Sequence, residues 1–170
     1  MAINRETFRK SISDFYTKDG IYSLYKYYFI DWIAEGYIGI HLNIFEISLL
    51  SEKTNKSVFT NLLEEAFYKK DVFIAIFNDL DEDVKKVFRT ILWEGKYILD
   101  KSQIEDFFEE DHIYETSDNL KDKYKFFHYR KNNISKNNIT KDNIGYLYLD
   151  HNIIRKIRPY CPQKVRDYYI

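Results

Sequence analysis

Four histidines, His41, His112, His128 and His151, and a single cysteine, Cys161, are the side chains of this 170-residue sequence best suited to metal ligation or nucleophilic attack. The histidines are dispersed, and none stands in a CxxC or HExxH spacing that would bring ligands onto one ion. Glu109-Glu110-Asp111-His112 offers carboxylate and imidazole donors, but a charge run of this kind is usually a solvated helix end. Glu94-Gly95-Lys96 matches the last part of a nuclease motif, where a carboxylate holds the ion and a lysine steadies the nucleophile. Here Gly95 follows an amphipathic helix and reads as its terminator. Cys161 lies between Pro159 and Pro162 without an activating neighbour, so it reads as a structural thiol. Five glycines supply neither GxxxxGK[ST] nor GxGxxG, and no GxSxG elbow occurs. The expectation is a non-enzymatic chain with no metal and no cofactor.

Binding chemistry is better represented than catalysis. Residues 1 to 80 hold 9 Lys and Arg against 11 Asp and Glu, residues 81 to 118 hold 5 against 12, and residues 119 to 170 hold 12 against 4. A near-neutral total thus hides an acidic segment followed by a basic one, and the basic one is where phosphate contacts would fall. Two readings of it stand: a polyanion-binding surface, or a solvated lysine face produced by composition and neutralised internally by the acidic segment. Aromatic residues form a second surplus. Tyr22, Tyr25, Tyr27, Tyr28, Phe29 and Trp32 cannot all face one small core from one helix. That helix either packs between the first helix and the carboxy-terminal part, or it joins two copies of the chain.

The elements that must position these groups follow from periodicity. Phe8, Ile12 and Phe15 predict a first helix ending at Asp19-Gly20, and a second runs from 21 to 35 with Gly36 as its stop. An extended piece leads to a helix from Asn43. Ser57 opens a helix carrying Val58, Leu62, Ala66 and Phe67, and another spans Val72 to Leu80. Val84, Val87, Phe88, Ile91 and Leu92 predict a helix from Asp81 to Gly95, with acids in its first turn. A short strand follows at Lys96 to Leu99, then a capping box at Ser102 to Glu105 opening a helix, then a helix from Ser117 to Arg130. Lys131 to Asn143, with five Asn and three Lys, is a polar loop. Ile144 to Leu149 is a strand, Asp150-His151-Asn152 a turn, and Ile153 to Ile157 the returning strand of a hairpin.

From residue 81 the order helix, short strand, helix, helix, strand, turn, strand resembles the winged-helix superfamily. The resemblance implies that the third helix enters a DNA groove and that the hairpin touches the backbone or minor groove. Carried onto this sequence, the helix Asn119 to Arg130 would present Lys121, Lys123, Lys125, His128 and Arg130, followed by Lys131. The wing Tyr146 to Ile157 would present Arg155 and Lys156, with Arg158 beyond. The expected fold is mainly α: a helical layer, residues 1 to 80, packed on a winged-helix-like module, residues 81 to 170, with a C-terminal β-hairpin. The expected partner is nucleic acid, with a protein partner or homodimer as the alternative. Lys26, Asp31, Glu35, His41 and Glu46 interrupt the apolar stretch Ile21 to Leu50, so no membrane span is expected. Met1 to Lys10 lacks a signal-like apolar run, and a cytoplasmic location is expected.

Overall fold

Small polar side chains mark where the helices begin. Asn4 accepts a hydrogen bond from the Thr7 N–H at 2.8 Å and Thr17 accepts one from the Gly20 N–H at 2.9 Å, each satisfying a donor that the first helical turn leaves open. The structure is a computed structural model and describes residues 3–99, 122–131 and 145–162. In these residues the chain is mainly α. Helix α1 spans Arg5–Phe15 and α2 spans Lys18–Leu24. The break expected at Asp19-Gly20 falls instead at Tyr16-Thr17, because the Thr17 cap starts α2 and Gly20 lies in its first turn.

From 18 to 34 the backbone stays helical, but Tyr25–Phe29 forms a π-helical turn before α3, Ile30–Ala34. The Ile30 N–H donates to the Tyr25 carbonyl, one residue further back than an α-helix would reach. The extra residue changes which side chains face inward. Tyr25, Tyr28, Phe29 and Trp32 are buried, while Tyr27 and Ile30 are left exposed. Apart from Tyr27, the aromatic surplus packs inside the chain: Tyr22 and Tyr25 pack on Phe59, and Tyr28 and Trp32 pack on Phe126. Of the two readings of this helix, packing between the amino-terminal layer and the carboxy-terminal part describes these contacts.

Helix α4, Ile44–Ser48, begins at Asn43 with a full capping box to Glu46. Helices α5, Lys56–Tyr68, and α6, Lys70–Asp79, supply the centre of the core through Phe59, Leu63, Phe67, Phe73 and Ile76. Arg5 and Arg9 of α1 both reach Glu64 of α5, whose side chain is only 2% exposed. A buried carboxylate needs such partners, since leaving it unpaired would cost several kcal/mol, of order 3–5. Helix α7, Glu82–Glu94, ends at Gly95 with φ of 91°, a left-handed cap that a side chain would strain.

A three-stranded antiparallel sheet completes the fold, with β1 (Tyr97–Leu99), β2 (His128–Lys131) and β3 (Gly145–Tyr148) in the order β1-β3-β2. The C-terminal hairpin is present, but its strands are β2 and β3. The segment expected as the returning strand is helix α8, His151–Ile157. Asp150, read as a turn residue, is its N-cap and accepts from the Asn152 and Ile153 N–H groups; Ile153, Ile154 and Ile157 then form one buried helical stripe. The helix expected from Ser117 to Arg130 is likewise corrected over its described part. Asp122–Tyr124 is a single 3-10 turn and His128–Lys131 is β2. Phe126 and Phe127 are both fully buried, which adjacent positions on a surface helix could not achieve. The helix expected to open at Ser102 lies outside the described residues.

Phe126 joins the two halves of the chain. Its ring meets Tyr28, Trp32, Phe67 and Phe88, and its carbonyl accepts from the buried Tyr16 hydroxyl at 2.7 Å. Replacing Phe126 by Ala is expected to destabilise the protein by about 3–5 kcal/mol, and Tyr16→Phe by about 1–2 kcal/mol, in urea unfolding. Ile44→Ala, at an exposed position, should stay within about 0.5 kcal/mol of the parent. Equal effects at all three sites would contradict the packing described.

Candidate nucleic-acid interface

The expected basic helix and wing do not form one surface. Lys123 donates to the Asp83 carboxylate at 2.5 Å, and the Tyr124 hydroxyl donates to the same oxygen at 2.5 Å. Burial alone would raise the Asp83 pKa, but these two hydrogen bonds and the Lys123 charge outweigh it and hold the carboxyl below its usual range. Lys123 is correspondingly raised, chiefly by its bond to Asp83. One expected phosphate contact is thus neutralised by the acidic segment.

His128 is stacked on Phe15, with ring centroids 3.7 Å apart and 11° between planes. Its burial lowers the imidazole pKa, with a backbone hydrogen bond at Phe15 opposing in part, so it is not a cation poised for phosphate. Lys156 lies 3.7 Å from the centroid of the Tyr68 ring. The Arg158 guanidinium donates to the Leu92 carbonyl and faces Trp93, whose indole N–H donates to the Cys161 carbonyl at 2.7 Å. These cations tie α8 and the following turn, Arg158–Tyr160, to α5 and α7. Lys125 is partly buried, Arg155 is exposed on α8, and Lys121 lies outside the described residues. Cys161 is buried, and its thiol is pushed up to about 11 by that burial. It is held protonated at neutral pH.

Arg130 and Lys131 remain at the exposed end of β2. Strand alternation and register then show what accompanies Arg130. Tyr146 stands directly opposite Arg130 on one side and Ile98 on the other, and Tyr148 is two residues along the same face of β3. The opposite face carries Tyr97, Leu99 and Leu147 into the core. Gly145 is required on that side, because a Cβ there would stand 2.6 Å from the Tyr129 ring and 2.7 Å from the Arg130 carbonyl.

The outer face therefore presents Ile98, Tyr146, Tyr148 and Arg130, with exposed Lys96 beside it. Ile98 is 47% exposed and the tyrosines are partly exposed. The Lys96 ammonium is 5.0 Å from the Tyr146 ring centroid and the Arg130 guanidinium 5.5 Å from that of Tyr148. The two rings lie 6.0 Å apart. None of the three strands carries a carboxylate. Cation–π contacts at such exposed positions are worth about 0.5–1 kcal/mol, weak enough to be exchanged for a ligand. Phe15 and His128 pack at the Tyr148 end, with the Phe15 and His128 rings edge-on to Tyr148. Period-2 spacing of the tyrosines in Gly145-Tyr146-Leu147-Tyr148 signalled this face in the sequence. Lys96 and Ile98 join it only through the β1 register.

A cleft of opposite character is lined by acidic side chains. Tyr27, Tyr28 and Trp32 line about 570 Å³ together with Asp31, Glu35, Asp79 and Asp81. Among the described residues no group of three or more His, Cys, Asp or Glu side chains is placed to hold a metal ion. The Glu109 to His112 run lies outside them. No helix of the described residues is long and apolar enough to cross a membrane.

The half-buried His128 makes stability depend on pH. Its folded pKa is below the unfolded value of about 6.5, so the unfolded chain binds more protons once the pH falls beneath 6.5, and stability declines toward the folded value. Urea midpoints measured from neutral pH down to 5 are expected to fall for the parent. His128→Phe, which can keep the stack on Phe15, should lack that decline. Asp83, lowered in the fold, adds a separate loss only near and below its ordinary value of 3.8. A parent midpoint that stays flat down to pH 5 contradicts the assignment. Comparisons with protein-family models, curated proteins and solved structures find no match to this chain.

Proposed function

We propose that the chain is a non-enzymatic, cytoplasmic nucleic-acid-binding protein whose contact surface is the outer face of the three-stranded sheet. The observation that carries this reading is the pairing of Lys96 and Arg130 with Tyr146 and Tyr148 on a sheet whose three strands carry no carboxylate. Lysine and arginine supply phosphate contacts, and phenol rings supply flat apolar area that also keeps a polar tip. Of the order the winged-helix resemblance implies, the described residues keep α7, β1 and an antiparallel strand pair, but not the third helix or the returning strand at Ile153 to Ile157.

Because phosphate contacts dominate, affinity should fall steeply with salt. Fluorescence anisotropy with labelled oligonucleotides at several salt concentrations tests this. Removing both cations, by Lys96→Gln with Arg130→Gln, is expected to weaken binding and flatten the log-affinity against log-salt slope by about 1.5 to 2. Lys123→Gln, whose parent side chain is held by Asp83, should leave the slope unchanged. No binding of any oligonucleotide at about 50 mM salt removes the proposal.

A second reading, a protein-interaction module, is favoured by a different observation. Ile40, Ile44, Phe45 and Leu49 are 82%, 86%, 70% and 61% exposed around α4. Large apolar side chains clustered this openly mark interaction surfaces more often than chance exposure does. Light scattering should then give a mass that rises with protein concentration and returns to one chain in Phe45→Lys. A parent that remains one chain throughout disposes of self-association.

A further inference from the structure

The outer sheet face offers more than charge, and its ring arrangement bears on which form of nucleic acid it would take. We propose that it binds single strands, with a base stacked on Tyr146 and the flanking phosphates held by Lys96 and Arg130. This deepens the nucleic-acid reading and rests on it. Bases in a duplex are covered above and below by their neighbours, and their edges alone are reachable in the grooves. An aromatic ring on a strand cannot use its flat area there. Unstacked bases of a single strand can lie on such a ring, and every base has a face to offer.

Position on the sheet favours Tyr146 over Tyr148. Tyr148 has the Phe15 and His128 rings edge-on against it, which fixes its orientation. Tyr146 lies in the middle of the three-strand row, with Ile98 exposed on one side and Arg130 on the other. A base on Tyr146 would extend its apolar contact over Ile98. Lys96, just before β1, and Arg130 of β2 flank the tyrosine pair, so a backbone crossing the strands meets a cation before and after the ring. Both cations now stand over the rings and need only swing off them to reach phosphate. The absence of carboxylates from all three strands leaves nothing on these strands to repel the backbone.

The test uses the full chain with a 5-iodouracil-containing single strand, as DNA and as RNA, and the matching duplex. Single strands are expected to bind at least several-fold more tightly than duplex at equal salt. Tyr146→Leu, which keeps an apolar side chain without a ring, should weaken single-strand binding roughly ten-fold or more and duplex binding little. Tyr146→Phe should lose less than Tyr146→Leu. Photo-cross-linking of the unsubstituted protein guards against a misfolded variant: the linked peptide should contain Tyr146. Duplex preference, an undiminished Tyr146→Leu, or cross-links confined to other segments would overturn the stacking proposal while leaving nucleic-acid binding intact. No binding of any strand at low salt would remove both. Binding of only DNA or only RNA identifies the source of the single strand without altering the stacking chemistry.

Discussion

The burial of Phe126 is the constraint from which the remaining arrangement follows. A phenylalanine with no exposed surface, set among rings from the π-helical turn, α3, α5 and α7, holds the segment 122–128 to the amino-terminal layer. Burying such a side chain is worth about 1.5–3 kcal/mol before any aromatic geometry is counted. Hydrogen bonds from Tyr16 to the Phe126 carbonyl and from Tyr28 to the Lys123 carbonyl then satisfy backbone groups that no helix or strand would pair. Once 122–128 is pinned, β2 must emerge where it does. The sheet inherits its position from that anchor.

The same anchor explains why the basic stretch reads differently in space than in sequence. Lysines at 121, 123 and 125 read in the sequence as the polar side of a helix. Pinned backbone beside α7 brings Lys123 onto Asp83 instead, and the acidic segment neutralises part of the basic one. Lys156 and Arg158 meet aromatic and carbonyl partners because α8 packs its isoleucines inward and lays its long side chains along α5 and α7. Long cationic side chains commonly cover apolar surface in this way. Net charge by segment therefore overstated the free cationic surface.

Much of the helical architecture was legible. Apolar spacing located α1, α5, α6 and α7, and Gly95 located the end of α7, because each of these signals is local, whereas the run holding α4 was ambiguous between strand and helix by period alone. The π-helical turn was not legible. It is chosen by which aromatics find room against Phe59 and Phe126, and those partners lie some 30 and 100 residues away. Ile153 to Ile157 was ambiguous for a related reason: β-branched residues favour strands, yet Asp150 caps a helix and the spacing 153, 154, 157 fits a helical stripe. Tertiary burial decided in favour of the helix. Tyr146 and Tyr148 were visible as alternating residues of a strand, but which face was open depended on β1 pairing from 50 residues upstream.

Two kinds of surface remain after the internal contacts are made, and their chemistry sets them apart. The ridge of Ile40, Ile44, Phe45 and Leu49 is apolar and lies on the amino-terminal layer, whereas the sheet face mixes cations with half-exposed rings. An apolar ridge gains chiefly by excluding water and imposes little on the orientation of what covers it. Cations flanking a fixed ring impose more, since a ligand must bring negative charge and flat apolar area at one spacing. Single-stranded nucleic acid carries both on every residue of its chain. The packing of Phe15 against His128 and Tyr148 holds one end of that face in place, so the proposed binding of a strand would require less order to be created.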